Sequence, residues 1–209
     1  MKPSAAPRSP RSNKPVLAID FDDVLFEHDT ILRTYFRKKY GLAYDPRTDY
    51  DLLSPTEGKT GLDRELIVSD AERFLLGPEH RAVTLQGAAD VLRKLSQEYS
   101  LAIVTSRSSF IKTQTYEWLE KHYPDIFETV VFAGKTRWGF GPKVAKIPEL
   151  HQLNTATLID DSLRHCIEAS AEGMRAILFG DYLWNQAAEL PSGVTRAKDW
   201  SEVEKILLP

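Results

Sequence analysis

Five short apolar runs punctuate the chain: Val16–Ile19, Leu101–Val104, Thr129–Phe132, Ala156–Ile159 and Arg175–Phe179. Each is an unbroken block rather than an alternation, which predicts strands buried on both faces, as in a parallel sheet. Between them the spacing changes to that of helices. Ala88, Val91, Leu92 and Leu95 recur on one helical face, followed by Phe110–Lys121 and by Ile147, Leu150 and Leu153. Leu163–Glu172 comes next, with Ser162 placed to cap it, and Ser201–Leu208 closes the chain. Strand and helix alternate from residue 87 onward, which predicts an α/β fold with a doubly wound parallel sheet of Rossmann-like type.

The alternation breaks between residues 28 and 85. Thr30–Tyr40 reads as a helix with Ile31, Leu32, Tyr35 and Phe36 along one side. A polar, turn-rich passage from Tyr44 to Gly61 follows, then a second helix from Asp63 to Leu76, with no strand between them. The organisation expected is therefore a tail over 1–14, a core from 15–27 plus 86–209, and a small helical insert over 28–85. A length of 209 residues with 42% hydrophobic content suits one core carrying such an insert.

The first fourteen residues are rich in Pro and Ser, with four basic residues and no acid, and are expected to be a disordered tail. Pro3, Pro7 and Pro10 oppose the amphipathic helix of a mitochondrial presequence. No apolar run approaches the roughly 18 residues of a membrane-spanning helix, so no membrane association is expected. Formal charge is −3, and more negative once the basic tail is set aside. That disfavours a nucleic-acid polymer as partner, because phosphate backbones are bound by clustered Lys and Arg. The lone cysteine, Cys166, excludes an intrachain disulfide and fits the cytoplasm. It lies in an apolar-periodic stretch and reads as a small core residue.

Ligands of an open α/β sheet bind at the carboxyl ends of its strands, so the residues after each apolar run carry the chemistry. Asp20-Phe21-Asp22-Asp23 follows the first run, Thr105-Ser106-Arg107 the second, and Asp160-Asp161-Ser162 the fourth. Lys143 and Lys146 stand ahead of a predicted helix. Clustered carboxylates are costly without a counter-ion, and oxygen donors lacking His or Cys favour Mg²⁺ over Zn²⁺. Such a site suits attack by a carboxylate on a phosphate ester. The hydroxyl, amides and a lysine would hold phosphoryl oxygens, and a second carboxylate would serve the leaving group.

These elements, in this order, resemble the haloacid dehalogenase superfamily of phosphatases over roughly residues 15 to 180. The resemblance implies Asp20 as nucleophile and metal ligand, and Asp22 as general acid/base with its carbonyl also on the metal. It implies Thr105 and Ser106 as phosphoryl-binding groups. The lysine is Lys146, fourteen residues before Asp160, with Lys143 as the alternative. Of the acidic pair, Asp161 aligns as the direct Mg²⁺ ligand and Asp160 as a supporting one. Asp23 stands where many members carry Gly, and His165 where an acid is common. The insert corresponds to the family's cap, the element that covers the site and reads the substrate.

More narrowly, Asp-Phe-Asp-Asp-Val, Leu-Ile-Asp-Asp-Ser and the late Phe-Gly-Asp-Tyr-Leu-Trp-Asn segment are similar to the 5′(3′)-deoxyribonucleotidase-like branch. A small phosphate ester is the expected partner, with a nucleoside monophosphate as the finer expectation. A base would need an aromatic platform. Tyr40 and Tyr44 are candidates; Phe36 reads rather as a core residue of the cap, and Trp138 and Phe140 as either pocket rim or loop anchors. A receiver domain is disfavoured because its phosphoacceptor Asp follows the third strand, where no Asp lies here. Dehalogenation leaves Asp22 without a task. A catalytically idle binding protein is the remaining alternative, opposed by the retention of Asp20, Asp22, Thr105, Lys146 and both Asp160 and Asp161.

Overall fold

The computed structural model describes residues 13–41, 63–77, 83–134 and 144–208. Its centre is a six-stranded sheet in the order β3-β2-β1-β4-β5-β6. The strands are β1 (Val16–Ile19), β2 (Ser100–Ser108), β3 (Thr129–Gly134), β4 (Thr155–Asp160), β5 (Arg175–Phe179) and β6 (Val194–Ala197). All neighbouring pairs run parallel. The helices are α1 (Asp29–Tyr40), α2 (Arg64–Leu76), α3 (Ala88–Glu98), α4 (Lys112–His122), α5 (Ile147–Gln152), α6 (Leu163–Ala171) and α7 (Trp200–Leu207).

The continuous apolar strands are buried on both faces for the reason anticipated. Leu17, Ile19, Leu101 and Ile103 meet Leu92 and Leu95 of α3 and Trp200 and Val203 of α7 on one side. Val16, Ala18, Ala102 and Val104 meet Leu150 of α5 and Ala169 of α6 on the other. Residues alternate between these two layers because the side-chain period of a strand is two. Cys166 is fully buried against Ala176 and Leu178, so it is a core residue, and burial raises its thiol pKa.

Two elements differ from the sequence expectation. β2 runs on to Ser108, well past its apolar block, by pairing Thr105 with Phe132 and Ser108 with Gly134. At Gly134 a Cβ would lie 2.4 Å from the carbonyl oxygen of Ser106, so only glycine lets the two backbones approach there. β6 was not anticipated: it is an edge strand whose Thr195 and Arg196 interrupt the apolar pattern.

The helices α1 and α2 have a small core of their own, in which Leu32 and Phe36 pack on Ile67, Ala71 and Phe74. Tyr35 stacks on Phe74 at 4.5 Å between ring centroids. Buried Asp70 accepts hydrogen bonds from Tyr40 and Lys39 and pairs with Arg73. The segments leading into and out of this helical pair lie side by side. Leu85 donates its amide to the carbonyl of Leu25, and Glu27 donates to that of Val83. Among the described residues, no helix is long and apolar enough to cross a membrane.

Candidate active site

In this strand order the connections reverse direction between β1 and β4, which opens a crevice at their carboxyl ends. Asp20 leaves β1 there, its amide donating to the Ile159 carbonyl of β4 at 2.8 Å. β4 ends on Asp160, followed directly by Asp161. Carboxylate oxygens of Asp20, Asp160 and Asp161 all lie within 4.8 Å of one another, the group among the described residues able to hold a metal ion.

Lys146, immediately ahead of α5, is buried against this group. Its ammonium lies 2.7 Å from Asp20 Oδ1 and 2.7 Å from Asp160 Oδ2. Asp160 also accepts from the Ser162 amide at 2.9 Å, and His165 Nδ1 stands 3.2 Å away. Thus His165, in the position where an acid was expected to be common, backs Asp160. Ser162 caps α6 through its side chain, as its place ahead of the helix suggested.

The electrostatics divide the carboxylates. Burial alone would raise the pKa of Asp160, but Lys146 and His165 outweigh it and hold the group far below the usual range. Burial would likewise lower Lys146, yet Asp160 and Asp20 keep it charged. Asp20 is pushed up to about 6 by burial, partly offset by Lys146, with Asp160 and Asp22 adding to the rise. Burial, reinforced by Asp160, Asp20 and Asp23, lifts Asp161 well above the carboxylate range. One lysine is therefore too little positive charge for three acids. An all-oxygen donor set short of positive charge fits a hard divalent cation such as Mg²⁺.

Asp22 stands apart from that group. Arg107 grips it through Nε, 3.1 and 2.9 Å from its two carboxylate oxygens, and through Nη2 at 2.7 Å. Thr105 is fully buried, and its hydroxyl oxygen accepts from the Arg107 amide at 3.1 Å. Ser106 Oγ is buried without a hydrogen-bond partner among the described residues. It borders a cavity of about 180 Å³ beside Asp22 and Arg107, roofed by Leu32 of α1 and by Ala71 and Leu75 of α2.

Asp23 has a structural task. Its φ of 55° lies in the left-handed region that favours glycine, and its carboxylate receives the amides of His28 and Asp29 at the start of α1.

Arg107 follows Thr105 and Ser106 directly in the chain, yet nothing in that local pattern marks it as the partner of Asp22. Trp184 is likewise unmarked in the sequence, and its indole N–H donates to Asp161 Oδ2 at 2.6 Å. Asn185 supports the same residue by donating to the Asp161 carbonyl at 3.0 Å. Both lie in the late segment noted only for its resemblance. Of the aromatic candidates, Tyr40 is bound to Asp70. Phe36 is buried in the small helical core, as its spacing suggested. Lys143, Tyr44, Trp138 and Phe140 fall outside the described residues.

No family model matches the chain, and none of the curated proteins does. Solved structures do. Protein Tyrosine Kinase A of Mycobacterium tuberculosis aligns at 17% identity with a TM-score of 0.66, covering 95% of this chain and 100% of that one. A haloacid dehalogenase-like hydrolase from Streptococcus pneumoniae aligns at 18% and 0.63, covering 92% and 98%. The HAD-type protein YfnB from Bacillus subtilis, in a structure bound to magnesium, aligns at 15% and 0.61, covering 95% and 100%. The fold is thus the α/β fold of the haloacid dehalogenase-type hydrolases. One of these neighbours is named as a kinase, so the fold alone does not set the reaction.

Proposed function

We propose that the chain is a Mg²⁺-dependent phosphatase that hydrolyses a small phosphate monoester through an aspartyl-phosphate on Asp20. The observation that carries this reading is the meeting of Asp20, Asp160, Asp161 and Lys146 at the crevice. Asp20, Asp161 and the backbone carbonyl of Asp22 would hold the metal. Asp160, engaged by Lys146, the Ser162 amide and His165, would support it from behind. When bound, Mg²⁺ supplies charge neutralisation between the attacking carboxylate and the phosphate.

A carboxylate oxygen of Asp20 forms a bond to phosphorus as the ester P–O bond breaks. Asp22 gives its proton to the departing alkoxide, then takes one from the water that attacks the acyl phosphate, returning Asp20 and releasing inorganic phosphate. Thr105, the Ser106 amide and hydroxyl, and Lys146 hold the phosphoryl oxygens; the unsatisfied Ser106 Oγ supports this placement.

We read residues 28–85 as the cap, since α1 and α2 roof the cavity beside Asp22. A (deoxy)nucleoside monophosphate is the finer reading of the substrate. Phe36 and Tyr40 lend it no support, whereas Phe110, 65% exposed at the cavity, offers an aromatic face. The test is acid-quenched turnover analysed by intact mass. A transient adduct of one phosphoryl group that maps to Asp20 is expected, and its absence under rapid turnover counts against the mechanism.

A further inference from the structure

Asp22 is held in place by a residue that the proposed chemistry does not use. Arg107 spans both of its carboxylate oxygens, in the planar fork geometry that a guanidinium matches and an ammonium does not. The guanidinium is itself fixed on every side. Its Nη1 donates to Thr115 Oγ1 at 3.0 Å, and that buried hydroxyl donates onward to the Ile111 carbonyl at 2.9 Å. Its carbon lies 4.1 Å from the Phe21 ring centroid and 4.8 Å from that of Phe26. Only 9% of Arg107 is exposed, while the Asp22 side chain retains 25% and faces the cavity.

Asp22 lies outside the Asp20, Asp160 and Asp161 group, so this pairing is separate from the neutralisation of those acids. The Arg107 amide also fixes Thr105 Oγ1. One residue thereby ties a phosphoryl-binding hydroxyl to the acid on the cavity side of the crevice.

We infer that Arg107 is a positioning residue: it sets the carboxyl of Asp22 where a departing alkoxide receives its proton. This rests on the phosphatase reading and deepens it. Proton donation matters for a basic alkoxide and little for p-nitrophenolate, which leaves without help. Loss of Arg107 should therefore be selective for poor leaving groups.

The experiment compares wild type, Arg107→Gln, Arg107→Lys and Asp22→Asn on glycerol phosphate and on p-nitrophenyl phosphate, both with Mg²⁺. Arg107→Gln is expected to lose at least about tenfold more kcat/KM, which covers only the steps through departure of the leaving group, on glycerol phosphate than on p-nitrophenyl phosphate, following Asp22→Asn, since general acids contribute about 10²–10⁴-fold. Arg107→Lys should fall between, and it carries the same comparison if the Gln variant does not fold. Equal losses of kcat/KM on both substrates, or no loss on either, would overturn the assignment and leave Arg107 a structural residue. A wild type inert toward both substrates would remove the proposed function itself, and with it the task given to Arg107.

Discussion

Trp184 donates its indole N–H to one carboxylate oxygen of Asp161 at 2.6 Å. The Trp184 ring is stacked on Tyr182 at 4.4 Å and nearly parallel, and the Tyr182 hydroxyl reaches the Asp23 carbonyl at 2.8 Å. The 180–186 segment thus orients a proposed metal ligand from outside the crevice. Partners of this kind typically change metal affinity by about 10–100-fold when removed. Trp184→Phe keeps the stacking and deletes the donor. We expect the Mg²⁺ concentration for half-maximal activity to rise about tenfold with little change in melting temperature. An unchanged Mg²⁺ dependence would deny Trp184 this part.

Lys146 lies buried between Asp20 and Asp160. Removing one partner of a buried charge set leaves the others uncompensated, at a cost of about 3–5 kcal/mol. Lys146→Met should lower stability by about that amount in urea titrations with chelator present. Saturating Mg²⁺ should recover part of the loss by neutralising the same acids. Equal deficits with and without Mg²⁺ would show that the metal is not bound beside this lysine.

The raised pKa of Asp20 carries a stability consequence of definite sign. A carboxyl at about 6 in the folded chain, against 3.8 ordinarily, favours folding below pH 4 and loses that contribution as pH rises through 6. Asp20→Asn has no charge to bury. In chelator it should match wild type near pH 4 and exceed it at pH 7.5, by at most about 3 kcal/mol, one pKa unit being about 1.4 kcal/mol. Melting curves across that range check it. A variant less stable than wild type at pH 7.5 would mean that the Lys146 pairing outweighs burial.

The sheet and the acid cluster were legible because both follow from local pattern. β1 and β5 coincide with their apolar blocks, since strands covered on both faces need no alternation. Asp20, Asp160 and Asp161 converge because all three lie at the carboxyl ends of neighbouring strands. β6 escaped notice because an edge strand tolerates Thr195 and Arg196, and only the apolar half of β2 was legible because its polar half is held by pairing with β3. Arg107 and Trp184 could not be assigned from spacing. Each acts on a carboxylate far away in the chain, and nothing in the residues beside it shows which one.

Phosphate release from p-nitrophenyl phosphate, measured across a Mg²⁺ titration for wild type and for Asp20→Asn, reads the metal and the nucleophile together. Wild type should hydrolyse it in a saturable, chelator-sensitive way, and the variant, which removes the nucleophile while keeping the shape of the side chain, should lose at least about 10³-fold. Hydrolysis that ignores Mg²⁺, or survives in Asp20→Asn, would contradict the proposed mechanism.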